Sequence, residues 1–320
     1  MSDQKPMNQI YGELLSEYAK KNEKIFVIEA DLMRAHGTGG FKESFPDRFL
    51  NVGVAEANMA GVAAGLSTLG KIPFIHSFAP FASRRIYDQV YVSIAYARLN
   101  VKITGTSPGV CAGVNGGTHM SYEDVALYRS IPGMIVFEPV DGIMLEKAFN
   151  EIVNHYGPVY IRLDGKKKNN IIQPSTEIKL GKALQLREGK DAVIFASGIM
   201  VEKAVNAAEE LEKQGLHTKV VCVHTIKPID REAVIMAAKE TGAVVVAENH
   251  SVINGLSAAI LEVLCESCPV PVKRVGVQDH FGEVGSIAYL EEKFKLREEN
   301  IIEAVKEAVI MKENLDCKVS

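Results

Sequence analysis

One carboxylic acid stands out in an otherwise small and apolar stretch of the sequence. Glu56 lies in NVGVAEANMAGVAAGL (51–66), where a strand-like run leads into a helical pattern built mainly of Ala, Gly, Val and Met. Small side chains nearly all round a helix predict close packing on every face, so we expect this helix to be buried. Burial disfavours the charged form of a carboxyl group, so Glu56 needs a partner or a proton. Two interpretations stay open: a catalytic acid, or an acid that stabilises the helix N-terminus.

Two phenylalanines and a histidine could complete a site around that acid. Phe78 and Phe81 lie in HSFAPFASRR, where flanking Arg84 and Arg85 indicate the rim of a cleft. Aromatic faces there could hold a flat heteroaromatic ring, although Phe at this spacing is also typical of a core. His119 ends a segment with five glycines, which permit close approach of the backbone to a ligand. That segment is neither a Walker loop nor a dinucleotide fingerprint, and a lone histidine can equally be structural.

The pattern of the chain predicts two α/β domains that would position these residues. Short β-branched runs alternate with helical patterns in the first half, and the rhythm restarts after a polar stretch at 164–190. Strands alternating with helices indicate a mainly parallel sheet covered on both faces. We therefore predict two consecutive three-layer α/β domains, the second smaller, with bounds at 1–172, a linker or start of the second domain at 173–190, and 191–320.

The individual elements follow from the same pattern. The predicted strands are IFVIEA (25–30), FLNVG (49–53), IPFIHS (72–77), VKITGT (101–106), MIVFEP (134–139), PVYIRL (158–163), AVIFAS (192–197), TKVVCVH (218–224), AVVVAE (243–248) and PVKRVGV (271–277), with helices near 201–213 and 255–266.

Ligands of open parallel sheets bind at the carboxyl ends of the strands. That rule selects loops containing Asp31, Glu56, Phe78 with Phe81, the Gly-rich segment, and Asp141. We expect architectural or interface roles for HTIKPID (224–230), AENHSVINGL (247–256) and GEVGS (282–286).

Composition limits the function classes. The chain has 320 residues, 47% of them hydrophobic and 24% charged, and a formal net charge of −4, which argues against a nucleic acid or anionic membrane held by bulk electrostatics. No apolar run is long enough to span a membrane and the start lacks the apolar core of a signal peptide, so we expect a cytoplasmic protein. The five cysteines are scattered, and CxxC at Cys265 and Cys268 has no second pair or histidine that would complete a zinc site.

Taken together and in order, the motifs resemble the C-terminal half of transketolase over essentially the whole chain. The likeness is strongest to the two-subunit forms, in which one gene carries the pyrimidine-binding and C-terminal domains. Three alternatives stay open: the β-subunit of a 2-oxoacid dehydrogenase, a fragment similar to deoxyxylulose-phosphate synthase, and a non-catalytic scaffold that keeps the fold. The matching pieces are EADL (29–32), FPDRFLNVGVAEANMAGVAAGL (45–66), SFAPF (77–81), GGTHMSYEDVALYRSIPGM (116–134), EPVDG (138–142), HTIKPID (224–230) and ENHSVINGL (248–256).

The resemblance implies thiamine diphosphate as cofactor and transfer of a two-carbon ketol group from a ketose to an aldose. In the family, the glutamate that matches Glu56 donates a hydrogen bond to N1′ of the cofactor's aminopyrimidine, which prepares removal of the thiazolium C2 proton. A buried, protonated carboxyl suits that donor role. The other matched residues are Phe78 and Phe81 around the pyrimidine, Asp31 near the cofactor at the subunit interface, and His119, Ser107 and Asn115 at substrate-contacting positions.

Several positions depart from the family pattern. Asn115 stands where an aspartate is usual, and Ser107 where many members have a histidine. The positions where the family has a phosphate-binding arginine, a serine and a second arginine are Met7 or Asn8, Ala35, and Gly165. Neighbours that could supply replacement charge at the substrate are Arg34, His36 and Lys166 to Lys168. We therefore expect a sugar substrate that is modified, differently charged or unphosphorylated.

A missing motif implies a missing subunit. The family holds the cofactor's diphosphate and Mg²⁺ with a GDG followed by an Asn, and GDG occurs nowhere in this sequence. The resemblance therefore implies a separate N-terminal transketolase subunit that carries GDG…N, with no metal ligands contributed by this chain. We expect an α2β2 assembly with active sites at subunit interfaces, and no activity from the chain alone.

Overall fold

A computed structural model of the protein describes residues 5–166 and 169–319. These residues form two α/β domains in series, each a mainly parallel sheet with helices packed on it. The predicted fold class is therefore confirmed. None of the helices in the described part of the chain is both long and apolar enough to cross a membrane.

The first domain is built on six parallel strands. In chain order these are β1 (Ile25–Glu29), β2 (Phe49–Asn51), β3 (Ile72–Phe78), β4 (Lys102–Thr106), β5 (Ile135–Phe137) and β6 (Val159–Leu163). Their spatial order is β5-β6-β4-β3-β1-β2. The helices are α1 (Met7–Lys21), α2 (Met33–His36), α3 (Gly39–Ser44), α4 (Glu56–Thr68), α5 (Asp124–Arg129) and α6 (Gly142–Asn154), with a π-helical segment at Gln89–Tyr96 and 3₁₀ turns at Pro46–Arg48, Arg84–Ile86, Gly109–Asn115 and Gly117–His119.

The second domain adds six further strands. These are β7 (Leu184–Arg187), β8 (Ala192–Ala196), β9 (Thr218–Cys222), β10 (Thr225–Lys227), β11 (Val244–Ser251) and β12 (Val272–Val277). Five of them form a sheet in the order β12-β11-β8-β9-β7, in which only the β7–β9 pairing is antiparallel. The helices are α7 (Met200–Lys213), α8 (Arg231–Thr241), α9 (Leu256–Ser267), α10 (Ile287–Lys293) and α11 (Glu298–Val319).

The remaining strand, β10, crosses to the first domain. It pairs antiparallel with β5, placing Thr225 opposite Phe137 and Lys227 opposite Val136. The ammonium group of Lys227 adds hydrogen bonds to the backbone oxygens of Arg129 and Ile131. HTIKPID is therefore an interdomain element, as its sequence predicted. Neither β7 nor β10 was predicted as a strand, because such short segments show too little alternation to be recognised.

The apolar cores follow the alternation of side chains along buried strands. Phe74 of β3 packs on the side of α1 and α6, whereas its neighbour Ile75 packs on the side of α4. The same two clusters continue into the second domain through Ile194 and Val193 of β8. Both domains are thus joined by continuous apolar packing on each side of their sheets.

Helix α4 differs from its prediction in one respect. Glu56 is its first residue, as expected, and Met59, Ala60 and Ala63 are buried. The opposite side is exposed, and a Cβ added at Gly61 or Gly65 would meet no atom within 4 Å. The expectation of a helix buried on every face is wrong for the single chain, because small side chains suit an exposed contact surface as well as an internal one.

Candidate active site

Glu56 is enclosed at the carboxyl edge of the first sheet. Its side chain reaches away from its own helix: Ser77 Oγ donates to Oε1 at 3.0 Å, and Arg85 Nη1 donates to Oε2 at 2.8 Å. The residue is only 2% exposed. Acceptance of one hydrogen bond at each oxygen, one of them from a guanidinium, is typical of a carboxylate.

Three rings form a wall beside the acid. The ring of His119 lies edge-on to Phe81 at 5.1 Å between centroids and to Phe78 at 5.9 Å. The guanidinium of Arg85 lies 3.9 Å from the centroid of Phe81. All three rings are half-buried, so each keeps part of its surface open. The residues that the sequence singled out at 56, 78, 81 and 119 thus come together as one group.

Arg84 and Arg85 acquire separate roles that sequence reasoning did not assign. Arg85 joins Glu56 to the aromatic wall. Arg84 pairs with Glu123 at 2.6 Å and donates to the backbone oxygen of Thr118 at 2.9 Å, which fixes the backbone next to His119. Their signal in the sequence is two consecutive arginines that begin three residues after Phe81, which predicted the rim of a cleft.

Asp31 is held at the same edge by Asn51. The backbone amide of Asp31 donates to Asn51 Oδ1, and Asn51 Nδ2 donates to Asp31 Oδ1, both at 3.1 Å. Asn51 Oδ1 also accepts from the amide of Gly53. Asp31 has a φ of 64°, and this local clamp stabilises that left-handed conformation. The exposed carboxylate is therefore presented by two adjacent strand ends, β1 and β2.

Ser107 and Asn115 lie in the segment between β4 and α5 that ends at His119; we call residues 107–119 the 107–119 loop. Ser107 follows β4 directly, with a φ of 52° and its amide bonded to the backbone oxygen of Leu163. Asn115 is exposed, whereas Ser107 is half-buried. Both are thus on the same loop as His119, with no contact between their side chains and Glu56 among the described hydrogen bonds.

The positions that lack the family's phosphate-binding residues form one corner. Asn8 Nδ2 donates to the backbone oxygen of Ala35 at 3.0 Å, and the amide of Asn8 donates to the oxygen of Gly165 at 3.3 Å. A Cβ at Gly165 would lie 3.1 Å from Asn8 Cβ. We call Asn8, Ala35 and Gly165 the uncharged corner. Met7 instead is buried in the core.

The residues expected to supply replacement charge divide into two groups. Arg34 and Lys166 are exposed beside the uncharged corner, which suits that expectation. His36 is fully buried, with Nδ1 bonded to Glu29 at 2.7 Å and Nε2 bonded to Thr106 Oγ1 at 3.1 Å. The expected direct contact of His36 with substrate does not fit this placement. Lys167 and Lys168 lie outside the described residues.

His36 belongs instead to a buried polar network that the sequence did not predict. Thr38 Oγ1 donates to Glu29 at 2.6 Å. His76 contacts Tyr11, whose hydroxyl also pairs with Thr104. Burial lowers the pKa of His76 to about 4. Burial alone would raise the pKa of Glu29, but the imidazoles of His76 and His36 and the hydrogen bonds from His36 and Thr38 hold it below its ordinary value.

These residues fit one half of a thiamine diphosphate site. Glu56 offers a carboxylate with further lone pairs, and Phe78 and Phe81 offer open ring faces beside it, which suits a flat nitrogen heterocycle. Among the described residues, no group of three or more His, Cys, Asp or Glu side chains could hold a metal ion.

Comparisons with known proteins identify both domains. Residues 3–169 match the transketolase pyrimidine binding domain, and residues 181–301 match the transketolase C-terminal domain. A solved structure described as a split gene transketolase, inactive beta4 tetramer, superposes with a TM-score of 0.90 at 44% identity, over 96% of this chain and 99% of that one.

Two curated relatives bear on the synthase-like alternative. The 6-deoxy-6-sulfo-D-fructose transketolase subunit SqwH of Clostridium sp. (strain MSTE9) is 55% identical over 94% of both chains. The 1-deoxy-D-xylulose-5-phosphate synthase 1 of Geobacter sulfurreducens is 35% identical, and the match spans 86% of this chain but only 44% of that enzyme. The synthase-like alternative is therefore weaker. The chain belongs to the transketolase family of transferases and comprises its pyrimidine-binding and C-terminal domains.

Proposed function

We propose that this chain is the pyrimidine-binding subunit of a two-subunit transketolase whose ketose donor carries a sulfonate at C6. The observation that carries the catalytic part is the position of Glu56, paired with Ser77 and Arg85 beside the half-open rings of Phe78 and Phe81. The substrate part is supported by the uncharged corner and by the similarity to a 6-deoxy-6-sulfo-D-fructose transketolase subunit.

Each site residue has a specific task in this proposal. When bound, thiamine diphosphate supplies the carbon nucleophile of the reaction and carries the two-carbon unit. Glu56 forms the hydrogen bond to the aminopyrimidine N1′. The shared proton can reside on either partner: a carboxylic acid donates it to a neutral ring nitrogen, and a carboxylate accepts it from a protonated one. Phe78 and Phe81 hold the ring, and Asp31 lies at the same edge towards the partner subunit.

His119, Ser107 and Asn115 are proposed to hold the sugar. His119 is positioned against both phenylalanines, and its Nδ1 already shares a hydrogen bond with Thr118 Oγ1 at 3.0 Å. This fixes the ring and leaves Nε2 as its remaining polar atom for a substrate hydroxyl. The C2–C3 bond of the donor breaks and the C2 carbon joins the aldehyde carbon of the acceptor. A six-carbon sulfosugar donor would thereby leave a four-carbon aldose with the sulfonate on its last carbon.

The charge of the substrate explains the uncharged corner. A sulfonate carries one negative charge, whereas a phosphate monoester carries about −1.5 to −2 at neutral pH. Fewer cationic side chains are therefore needed to bind a sulfonate. Additional cationic side chains would favour phosphorylated sugars that compete for the site. The uncharged corner offers no charge to a ligand. The exposed side chains of Arg34 and Lys166 nearby each carry one positive charge at the end of a long aliphatic chain.

A second subunit is required by the same proposal. Apolar residues with large exposed fractions lie at the two ends of α4, Val54 at 75% and Leu69 at 75%. Together with the open faces of Gly61 and Gly65 they form a surface suited to another chain. We infer an α2β2 assembly in which the N-terminal subunit with GDG…N holds Mg²⁺ and the diphosphate. The solved split-gene relative, an inactive tetramer of β chains, is consistent with inactivity of this chain alone.

The test is a donor comparison with the assembled enzyme. The chain is purified together with a partner subunit that contains GDG…N, and kcat/KM is measured for 6-deoxy-6-sulfofructose, fructose 6-phosphate and xylulose 5-phosphate with one common aldose acceptor. We expect the sulfosugar to be preferred by about tenfold or more, a difference of roughly 1.4 kcal/mol in transition-state binding. A preference for xylulose 5-phosphate, or robust activity from the chain without a partner, would refute the proposal.

A further inference from the structure

The 107–119 loop has little internal support of its own. It contains only 3₁₀ turns, and its backbone enters the left-handed region at Ser107, Gly109, Gly113 and Gly116. Short 3₁₀ segments have weaker hydrogen-bond geometry than α-helix. A loop of this kind keeps one conformation only if other parts of the molecule bind its backbone.

The second domain provides those contacts through Asn249 of β11. Asn249 Oδ1 accepts a hydrogen bond from the backbone amide of Val110 at 3.0 Å. Its Nδ2 donates to the backbone oxygen of Pro108, also at 3.0 Å. A single buried side chain thus binds one polar group in each of the two peptide units that flank Gly109, as a neighbouring strand would.

Gly109 shows how closely Asn249 approaches. A Cβ at residue 109 would collide with the side-chain oxygen of Asn249, and Gly109 has a φ of 55° that also favours glycine. Further along the loop, a Cβ at Gly117 would collide with the backbone oxygen of Gly282. Val284 similarly lies against Gly116. The close approach of the second domain therefore accounts for three of the loop's four glycines, Gly109, Gly116 and Gly117.

Asn249 is itself fixed from the first domain. Arg162 of β6 donates from Nη2 to the backbone oxygen of Asn249 at 2.8 Å. The same guanidinium pairs with Asp124 and Glu138, and all of these groups are buried. Strand β6 lies next to β4, from which the loop begins. The loop thus begins at β4 and is bound by Asn249, and Asn249 is bound in turn by Arg162 of β6, the strand next to β4.

We propose that Asn249 is a positioning residue of the transketolase reaction, through which the C-terminal domain holds the 107–119 loop and sets the placement of Ser107, Asn115 and His119 at the sugar. Asn249 touches neither Glu56 nor the aromatic wall among the described contacts, so it acts on the substrate through the loop. The proposal rests on the proposed function of the loop in binding the ketose.

Two variants and a control test it in the assembled enzyme. Asn249→Ala removes both of these backbone hydrogen bonds and the 3.6 Å contact of Nδ2 with Cys111 Sγ, whereas Asn249→Asp keeps the acceptor for Val110 but places a second oxygen against Pro108. Asn300→Ala is the matched control, because Asn300 also binds one backbone amide of the second domain, that of Arg297, and makes no hydrogen bond to the 107–119 loop among the described residues. We expect kcat/KM for the ketose donor to fall about 10- to 100-fold with Asn249→Ala, less with Asn249→Asp, and not with Asn300→Ala.

Two further readouts separate positioning from a general loss of structure. Exchange of the C2 hydrogen of bound thiamine diphosphate, followed by NMR, should be unchanged in Asn249→Ala, since Glu56 and its partners are untouched. Amide hydrogen exchange on the chain itself should be about tenfold faster at Val110 in Asn249→Ala but not in Asn249→Asp, with β1 and β3 as protected as before. The second readout needs no activity, so it stands even if the proposed donor is wrong.

Either of two results would overturn the proposal. One is an Asn249→Ala enzyme with unchanged kcat/KM, whatever its melting temperature. The other is Val110 exchange that does not respond to Asn249→Ala. Failure of the wild-type assembly on every ketose donor would instead count against the proposed function, while the exchange result would still decide whether Asn249 holds the loop.

Discussion

Glu56 and Arg85 form an ion pair of 2.8 Å that joins the first residue of α4 to the turn after Phe81. The acid side chain is almost completely enclosed, whereas 43% of the Arg85 side chain is exposed. The cation therefore lies on the solvent side of the acid, and its guanidinium also covers part of Phe81. One arginine thus fixes both the acid and an aromatic face at the centre of the candidate site.

Glu56→Gln should slow the reaction strongly while leaving the fold intact. An amide keeps the size of the side chain and can still accept from Ser77 or Arg85, but it cannot share a proton with a ring nitrogen. We expect kcat of the assembled enzyme to fall by about 10²- to 10⁴-fold, the usual contribution of a positioned proton-transfer group. Steady-state kinetics measures this, with circular dichroism as the check on folding.

Glu262→Gln is the matched control for that experiment. Glu262 is also paired with an arginine, Arg129, at 2.7 Å, but it is exposed and lies in the second domain. Its replacement should leave kcat unchanged, since an exposed ion pair contributes little. An assembled Glu56→Gln enzyme with wild-type kcat would rule out the proposed role of Glu56.

Asn8→Arg should shift the donor preference towards phosphorylated ketoses. It adds a guanidinium to the uncharged corner beside Ala35 and Gly165, where a doubly charged group gains more than a singly charged one. We expect the ratio of kcat/KM for fructose 6-phosphate over 6-deoxy-6-sulfofructose to rise about tenfold. Gln9→Arg places the same charge on the adjacent exposed position and should leave the ratio unchanged. An equal rise in both variants would show that long-range charge, not the corner, is responsible.

Gly61→Leu should prevent assembly without unfolding the chain. A Cβ at this exposed position would meet no heavy atom within 4 Å outside its own stretch of helix. We therefore expect the fold to accommodate a leucine, which would keep another protein surface away from α4. We expect native mass spectrometry to show loss of the complex with the partner subunit. Gly40→Leu is a control on α3 with equally open space. Intact complexes of the Gly61 variant would place the contact surface elsewhere.

His224 should contribute to acid lability. Burial lowers its pKa to about 4, below the roughly 6.5 of an unfolded chain, so only the unfolded state takes up this proton between those values. Stability is then complete above pH 6.5 and lost as the pH falls. We expect His224→Gln to reduce the loss of unfolding free energy between about pH 7.5 and about pH 5 by about 2 kcal/mol. Urea titrations at both pH values measure this, with exposed His217→Gln as control; equal losses in wild type and His224→Gln would contradict it.

Much of the arrangement was predictable because it depends on order along the chain. Parallel strands bring their carboxyl ends to one edge, so loops after β1, β2, β3 and β4 had to meet there. Asp31, Glu56, Phe78 and His119 accordingly lie at that edge. All ten predicted strands occur with bounds that differ by a few residues at most.

The sequence pattern could not predict the direction in which each side chain points. His36 and Arg34 are two residues apart on α2, yet one is buried against Glu29 and the other is exposed. The partners of Glu56 were equally hidden, since Ser77 and Arg85 meet it only after β3 and α4 have packed. The exposed side of α4 was missed for a related reason. A helix of small residues has the same sequence pattern whether it packs against its own chain or against another chain.

The crossing of β10 has a consequence for biosynthesis. Residues 1–166 contain every parallel strand of the first sheet, but the strand that covers the outer side of β5 is made about sixty residues later. Until it emerges from the ribosome, β5 presents unpaired backbone groups of the kind that recruit foreign strands. The nascent first domain is therefore exposed to misassociation for a defined interval of translation, and synthesis of the second domain ends it.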